Sequence, residues 1–201
     1  MYTIPRIDYA MLAKSQEFYQ VFGYQDIEVP WMASGTAIGA TIPNNKNAVF
    51  IPSHSKFLVG SAETGFIEMM LDNALRPGKY QSISPCFRDD ELDKYHMPYF
   101  MKNELIIVEP DDAKAELEGM IENAFNFFAM FLEKSQMKLA ENEPGVIDIM
   151  AAGVELGSYG IRSFKGFQWI FGTGCALPRL SQVRQKMFLS KRSVTTNIEI
   201  E

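Results

Sequence analysis

Two strand-like segments joined by a short charged stretch constrain the fold of this chain more than any other feature. Tyr80 to Arg88 ends on Ser84-Pro85-Cys86-Phe87-Arg88, and Tyr99 to Glu109 opens on Tyr99-Phe100-Met101-Lys102-Asn103-Glu104. The loop from Asp89 to Tyr95 suits an antiparallel hairpin. His96, Phe100 and Glu104 follow at intervals of four. An arginine at the end of a strand presents a rigid planar fork of N–H donors, a better match to phosphate than a mobile lysine. The returning strand adds a histidine for a second phosphate contact, an aromatic face and a carboxylate that can accept from an ammonium. These residue types in this order outline a site that uses ATP to activate a substrate.

The rest of the chain alternates helical and strand periodicity. Met11, Leu12, Phe18, Tyr19 and Phe22 predict a helix over about Ala10 to Phe22, stopped by Gly23. Residues Trp31 to Asn47 are rich in small residues, Pro and Asn, and predict a loop with a turn at Pro43 to Asn47. Phe57 to Val59 leads through Ser61-Ala62-Glu63 into a helix containing Ile67, Met70, Leu71 and Leu75. After Pro110, Asp111 is the expected cap of a helix whose apolar residues, from Leu117 to Leu132, recur at three and four. Short strands are predicted at Val146 to Ala151, Val154 to Gly157 and Phe167 to Gly172, with a tight turn at Ala152-Gly153. A last helix is expected to open at Gly174 and run through Arg184. The order predicts an α+β fold, a mainly antiparallel sheet flanked by helices, in one domain spanning residues 1–201.

The hairpin resembles motif 2 of class II aminoacyl-tRNA synthetases, and Phe100-Met101-Lys102-Asn103-Glu104 is most similar to the seryl branch. Other family motifs stand in the right order. Gly23 to Pro30 resembles motif 1, Gly172-Thr173-Gly174-Cys175-Ala176-Leu177-Pro178-Arg179 resembles motif 3, Ser61-Ala62-Glu63 resembles the amino-acid-binding loop, and Glu155-Leu156-Gly157-Ser158 resembles the metal-binding strand. The resemblance covers residues 15 to 190 and implies cofactors ATP and Mg2+. It implies that Arg88 holds the α-phosphate and the substrate carboxylate, and that Arg179 and His96 reach the far phosphates. Phe100 would stack on adenine, Glu155 and Ser158 would hold magnesium, and Ser158 would also face the substrate. Glu63 and Glu104 would compete for the ammonium of a small amino acid, and two acids in an apolar pocket favour a cationic amine. Motif 1 further implies a homodimer. Taken singly, each residue has an ordinary structural reading: Arg88 pairing with Asp89 or Asp90, His96 solvated, Phe100 in the core.

Three departures qualify the resemblance. Asp90 is shorter than the usual glutamate, and Phe171 and Tyr99 replace an asparagine and a glutamate, so seryl specificity does not transfer. Composition narrows the partners. The 201 residues carry a net charge of -6 at pH 7 and a pI near 5.1, which gives no global attraction for polyanions. Only local clusters, Arg162 with Lys165 and Arg179 with Arg184 and Lys186, favour phosphate. The core motifs fill the chain, so tRNA is an unexpected acceptor, and a carrier protein, small molecule or modified nucleotide is expected instead. Charges interrupt every long apolar run, which excludes a membrane span. Cys86 and Cys175 read as buried packing residues in a reducing cytoplasm.

Overall fold

The computed structural model describes residues 6–42, 47–88 and 97–196, with side chains through Leu189 in the last helix. Helix α1 (Tyr9–Gln20) starts where Asp8 accepts a hydrogen bond from the Met11 amide at 3.1 Å, which satisfies one orphan donor of the first turn. The short strand β1 (Gln25–Asp26) follows, then β2 (Met32–Ala33), helix α2 (Gly35–Thr41), β3 (Phe50–Ile51), β4 (Lys56–Leu58) and helix α3 (Ala62–Leu71). The hairpin strands are β5 (Gly78–Phe87) and β6 (Tyr99–Val108), paired from Gly78–Val108 to Phe87–Tyr99. Helix α4 (Ala113–Ala129), strands β7 (Met137–Glu143), β8 (Val146–Ala151), β9 (Val154–Phe164) and β10 (Phe167–Leu177), and helix α5 (Arg179–Thr196) complete the chain.

Seven strands form one sheet in the order β1-β5-β6-β10-β9-β8-β7, with β1 parallel to β5 and the other neighbours antiparallel. The α+β expectation is met. Strand β6 shows why the sheet is covered on both sides. Leu105 and Ile107 join a core with α1, α4 and α5, while Ile106 and Val108 join a second core with α3 and Trp169. Lys102 and Glu104 share the face of Ile106 by the same period of two. Helix α3 packs on this face at Ile106 and Val108, whereas Phe100, near the other end of β6, belongs to neither core.

Polar groups fix the layers. Asn103, fully buried, donates to Ser15 Oγ at 3.0 Å and Gln81 Oε1 at 2.9 Å, and Gln81 donates to the Gln16 carbonyl, which ties α1 to the hairpin. On the opposite face Glu68 accepts from the Ser34 hydroxyl at 2.6 Å and from Lys56 at 3.0 Å, joining α3 to the cap of α2 and to β4. Helix α3 also sits so close to motif 1 that a Cβ on Gly65 would come within 2.8 Å of the Pro30 carbonyl.

Several boundaries differ from expectation. The segment read as loop contains α2, which Ser34 caps through the Ala37 amide, a short helix without a long periodic stripe to announce it. Asp112 caps α4 instead of Asp111. Strand β7 was not anticipated, because as the last strand of the sheet it is largely exposed and its sequence is mostly polar. Gly174 does not open a helix. Strand β10 runs on to Leu177, with a register shift between Thr173 and Cys175, and α5 begins at Arg179 after Pro178. The turn at Ala152-Gly153 is as expected, with φ of 51° and 77°, suited to a two-residue hairpin.

Candidate active site

On the α3 face of the sheet lies a cavity of about 470 Å³. Its lining includes Glu63, Arg88, Glu104, Glu155 and Ser158, so five of the eight site residues expected from sequence meet in one place. Phe100 and Arg179 join them at the mouth. The Arg88 and Arg179 guanidinium carbons each lie 5.9 Å from the centre of the Phe100 ring, within cation–π range. Arg88 follows the last residue of β5, and its amide donates to the Pro98 carbonyl at 2.9 Å, which anchors it to the returning strand. A Cβ on Gly60 would stand 3.3 Å from Arg88 Nη1, so this glycine leaves the guanidinium its space. His96 lies outside the described residues.

Glu155 and Ser158 are three apart, a spacing that would put them on opposite faces of a regular strand. The pairing of β8 with β9 shifts register between Ile149 and Met150, and the extra residue turns both side chains into the cavity. Opposite Ser158 stands Asp148, buried, with Oδ2 accepting from Asn142 at 2.6 Å and Oδ1 without a hydrogen-bond partner. A carboxylate oxygen left bare beside a hydroxyl and a second carboxylate fits a hard cation. Among the described residues no three acidic, His or Cys side chains gather as a self-sufficient metal cage. Glu155 Oε1 meanwhile accepts from Arg179 Nη1 at 3.0 Å.

The two acids expected to hold an ammonium have different surroundings. Glu63, in the first turn of α3, receives Arg162 Nη1 on both oxygens at 2.8 and 2.6 Å and Trp169 Nε1 at 2.8 Å. Its charge is already answered, so the pocket does not present two open acids to a cationic side chain. Glu104 is fully buried between Ser82 on one neighbouring strand and Thr173 on the other, with the Lys102 ammonium 2.6 Å from Oε2. Burial pushes the Glu104 carboxyl up, and the nearby Glu63 charge adds to it, against the opposing pull of Lys102.

Other expected features separate from the site. Arg184 lies over Phe131 and Lys186 donates to the Ala152 carbonyl, so neither is part of the cavity lining. Cys86 and Cys175 are buried and unbonded to each other, and burial pushes their thiols up to about 11 and about 12, which makes them packing groups. Asp148, Lys102 and Arg162 also line the cavity, although the sequence pattern points to no role, or a different one, for each. The bare polarity of an aspartate on an apolar strand, Ile147-Asp148-Ile149, was the available signal for the first.

Residues 40–174 match the profile of the tRNA synthetases class II core domain (F). The chain belongs to this class II synthetase core family. The match covers motif 2, the Glu155–Ser158 strand and the first part of motif 3. No curated protein sequence matches the chain. Among solved structures, the seryl-tRNA synthetase of Pyrococcus horikoshii, complexed with ATP, superposes with a TM-score of 0.72 at 18% identity over 88% of this chain and 49% of that one. The pyrrolysyl-tRNA synthetase of Desulfitobacterium hafniense gives 0.67 at 16% identity over 89% and 69%. The cytoplasmic serine–tRNA ligase of Naegleria fowleri, in complex with AMP, gives 0.66 at 18% over 85% and 51%. This class II core therefore spans about half the length of the seryl enzymes it resembles, and the likeness at these identities is one of fold. No helix among the described residues is long and apolar enough to cross a membrane.

Proposed function

We propose that this class II core forms an aminoacyl adenylate from ATP and a small amino acid, and passes the aminoacyl group to an acceptor other than tRNA: a carrier protein, a small molecule or a modified nucleotide. The observation that carries the reading is the convergence of Arg88 and Arg179 on the one ring of Phe100, at the mouth of the cavity that Glu155 and Ser158 line. In the reaction a carboxylate oxygen attacks the α-phosphorus, and the bond from that phosphorus to the bridging oxygen breaks as pyrophosphate leaves. The chain contributes position and charge, with little covalent work. Arg88 would bring the carboxylate and α-phosphate together, and its place beside Gly60 and Phe100 suits that role. Phe100 would support adenine, and Arg179 would leave Glu155 to hold the outer phosphates.

Glu155 and Ser158, with Asp148 beside them, would hold magnesium, which when bound offsets the charge of the phosphates. Glu104 would receive the α-ammonium. A homodimer is proposed from motif 1, directly before which Val21 and Phe22, just past the end of α1, are exposed. Val29 is a poor probe of that contact, because it is buried against Gly65 and a charge there would disturb the fold. We further propose that residues 1–201 act as one catalytic domain in the cytoplasm. The net charge of -6 supports the non-tRNA acceptor. The test is ATP–pyrophosphate exchange with each of the twenty amino acids, followed by charging assays with total tRNA. Nucleotide binding without any stimulated exchange would make the chain a binding paralogue, and efficient ester-linked charging would make it a compact synthetase.

A further inference from the structure

Arg162 lines the cavity at the level of Trp169 and Phe171, and neither the nucleotide mouth nor the magnesium side uses it. Both of its bonds to Glu63 come from Nη1, and among the described residues Nε and Nη2 carry no hydrogen bond. Its guanidinium carbon lies 4.0 Å from the centre of the Phe171 ring. Its cross-strand neighbour Trp169 is buried and donates to the same Glu63. The guanidinium is thus held at one nitrogen by a buried carboxylate and on one face by an aromatic ring. Arg162 lines the cavity, and its Nε and Nη2 form the edge that makes no hydrogen bond to the described residues, a pair of donors that matches a planar carboxylate or amide.

The register shows where this fork lies relative to the reaction. Along β6, Phe100 marks the nucleotide mouth and Glu104 stands four residues deeper. Phe171, under Arg162, pairs with Ile106, two residues deeper again. A substrate with its carboxylate at Arg88 and its ammonium at Glu104 thus extends its side chain toward Arg162. We propose that Arg162 reads the end of that side chain, and that the substrate is an amino acid whose side chain terminates in a carboxylate or a carboxamide. The inference rests on the adenylation reading for the placement of the substrate's carboxylate and ammonium. Because Glu63 offsets much of the charge on Arg162, the fork can serve a neutral amide as well as an acid.

The experiment pairs two readouts on the full chain: exchange kinetics, and calorimetric binding of amino acids in the presence of a non-hydrolysable ATP analogue. Aspartate and glutamate form one arm, asparagine and glutamine the second, and alanine, serine and lysine the control. One of the first two arms is expected to bind at least about 100-fold more tightly than the controls, as a site built to hydrogen-bond a polar group rejects analogues lacking it. Arg162→Lys keeps a cation against Glu63 but loses the planar fork. It should weaken the preferred amino acid about 10- to 100-fold while leaving analogue affinity unchanged, an outcome that general misfolding would not give. The double variant Glu63→Gln/Arg162→Gln, which leaves no buried charge unpaired, should lose the same preference. A control amino acid preferred over both arms, no amino acid bound at all, or an Arg162→Lys protein with unaltered selectivity overturns the assignment. Selective binding that Arg162→Lys abolishes, without exchange for any amino acid, supports Arg162 as the reader and refutes the adenylation step alone.

Discussion

At the mouth of the cavity two guanidinium groups share one aromatic ring, whereas farther in each of two acids is met by a cation from the chain itself: Glu104, four residues on along β6, by Lys102, and Glu63 of α3 by Arg162. The mouth thus offers two cations and an aromatic face, the arrangement proposed above for a nucleotide. At the deep end the chain's own cations offset acids that would be costly to bury alone, and the proposed substrate ammonium would add to Lys102 at Glu104. Substitutions should therefore act on turnover at the mouth and on stability or selectivity at the deep end.

The largest expected effects lie at the mouth. Arg88→Ala and Arg179→Ala should each lower the exchange rate by about 10²- to 10³-fold, or about 3 kcal/mol, comparable to removing a preorganised donor to a developing charge. Arg88→Lys should be nearly as poor, since an ammonium lacks the bidentate fork. Thermal midpoints should barely change in these variants. A loss of stability to match the loss of rate would erase the contrast between the two ends.

The deep end should give the reverse pattern. Glu63→Gln keeps an acceptor for the Trp169 indole but removes the charge that answers Arg162. It should cost about 2 kcal/mol of stability, near the middle of the range for a hydrogen bond to a charged group. Half-burial of Arg162 keeps the loss below that of a fully sealed pair. Denaturant titration measures it directly. A stability equal to that of the unsubstituted chain would mean that Glu63 is held for substrate and not for Arg162.

The same contrast governs what could be read from sequence. The mouth is made of residues close together along the chain or inside compact motifs, so short patterns suffice to expect Arg88, Phe100 and Arg179 near one another. The hairpin was legible to within two residues because both strands are long and punctuated. The deep end depends on Glu63 meeting Arg162 across 99 positions, a pairing that only the docking of α3 on β9 and β10 creates. Asp148 and the short helix α2 escaped for related reasons. One acts through a cross-strand neighbour, the other is a single capped segment in sequence that otherwise reads as loop. The extra residue in β9 that turns Glu155 and Ser158 to one face was likewise implicit in their spacing of three, visible as a bulge only in the register.

A pH profile should separate the two acids of the deep end. The Glu104 carboxyl is raised by burial, so its proton stays on to a higher pH than that of an ordinary glutamate. Only the ionised form can accept the substrate's ammonium. Binding should therefore be present above the raised value and lost as pH falls through it, giving kcat/KM an acid limb above the usual carboxylate range. The same shift opposes folding as pH rises between the ordinary and the raised value, because ionisation is harder in the folded chain. Glu104→Gln should remove both the acid limb and that stability slope. An acid limb unchanged in Glu104→Gln would assign it to another group.

The smallest effect on stability should come from the one ion pair that belongs to the mouth. Glu155 and Arg179 are 3.0 Å apart, but the Glu155 carboxylate side chain is 42% exposed, against 7% for Glu63 in the deep pair, while the two arginines are 21% and 34% exposed. A pair so open to water is worth less than about 1 kcal/mol, because solvent screens it and two long side chains lose freedom in forming it. Arg179 can then leave Glu155 for a phosphate at little cost, and Glu155 is released to face a cation. Glu155→Gln should accordingly shift the thermal midpoint by no more than a few degrees, since about 1 kcal/mol moves the midpoint of a domain this size by roughly 2 to 4 °C. The affinity of the ATP analogue complex for Mn2+, followed by electron paramagnetic resonance, should fall well beyond that scale. A marked loss of stability with unchanged Mn2+ affinity would place Glu155 with the structural acids of the deep end.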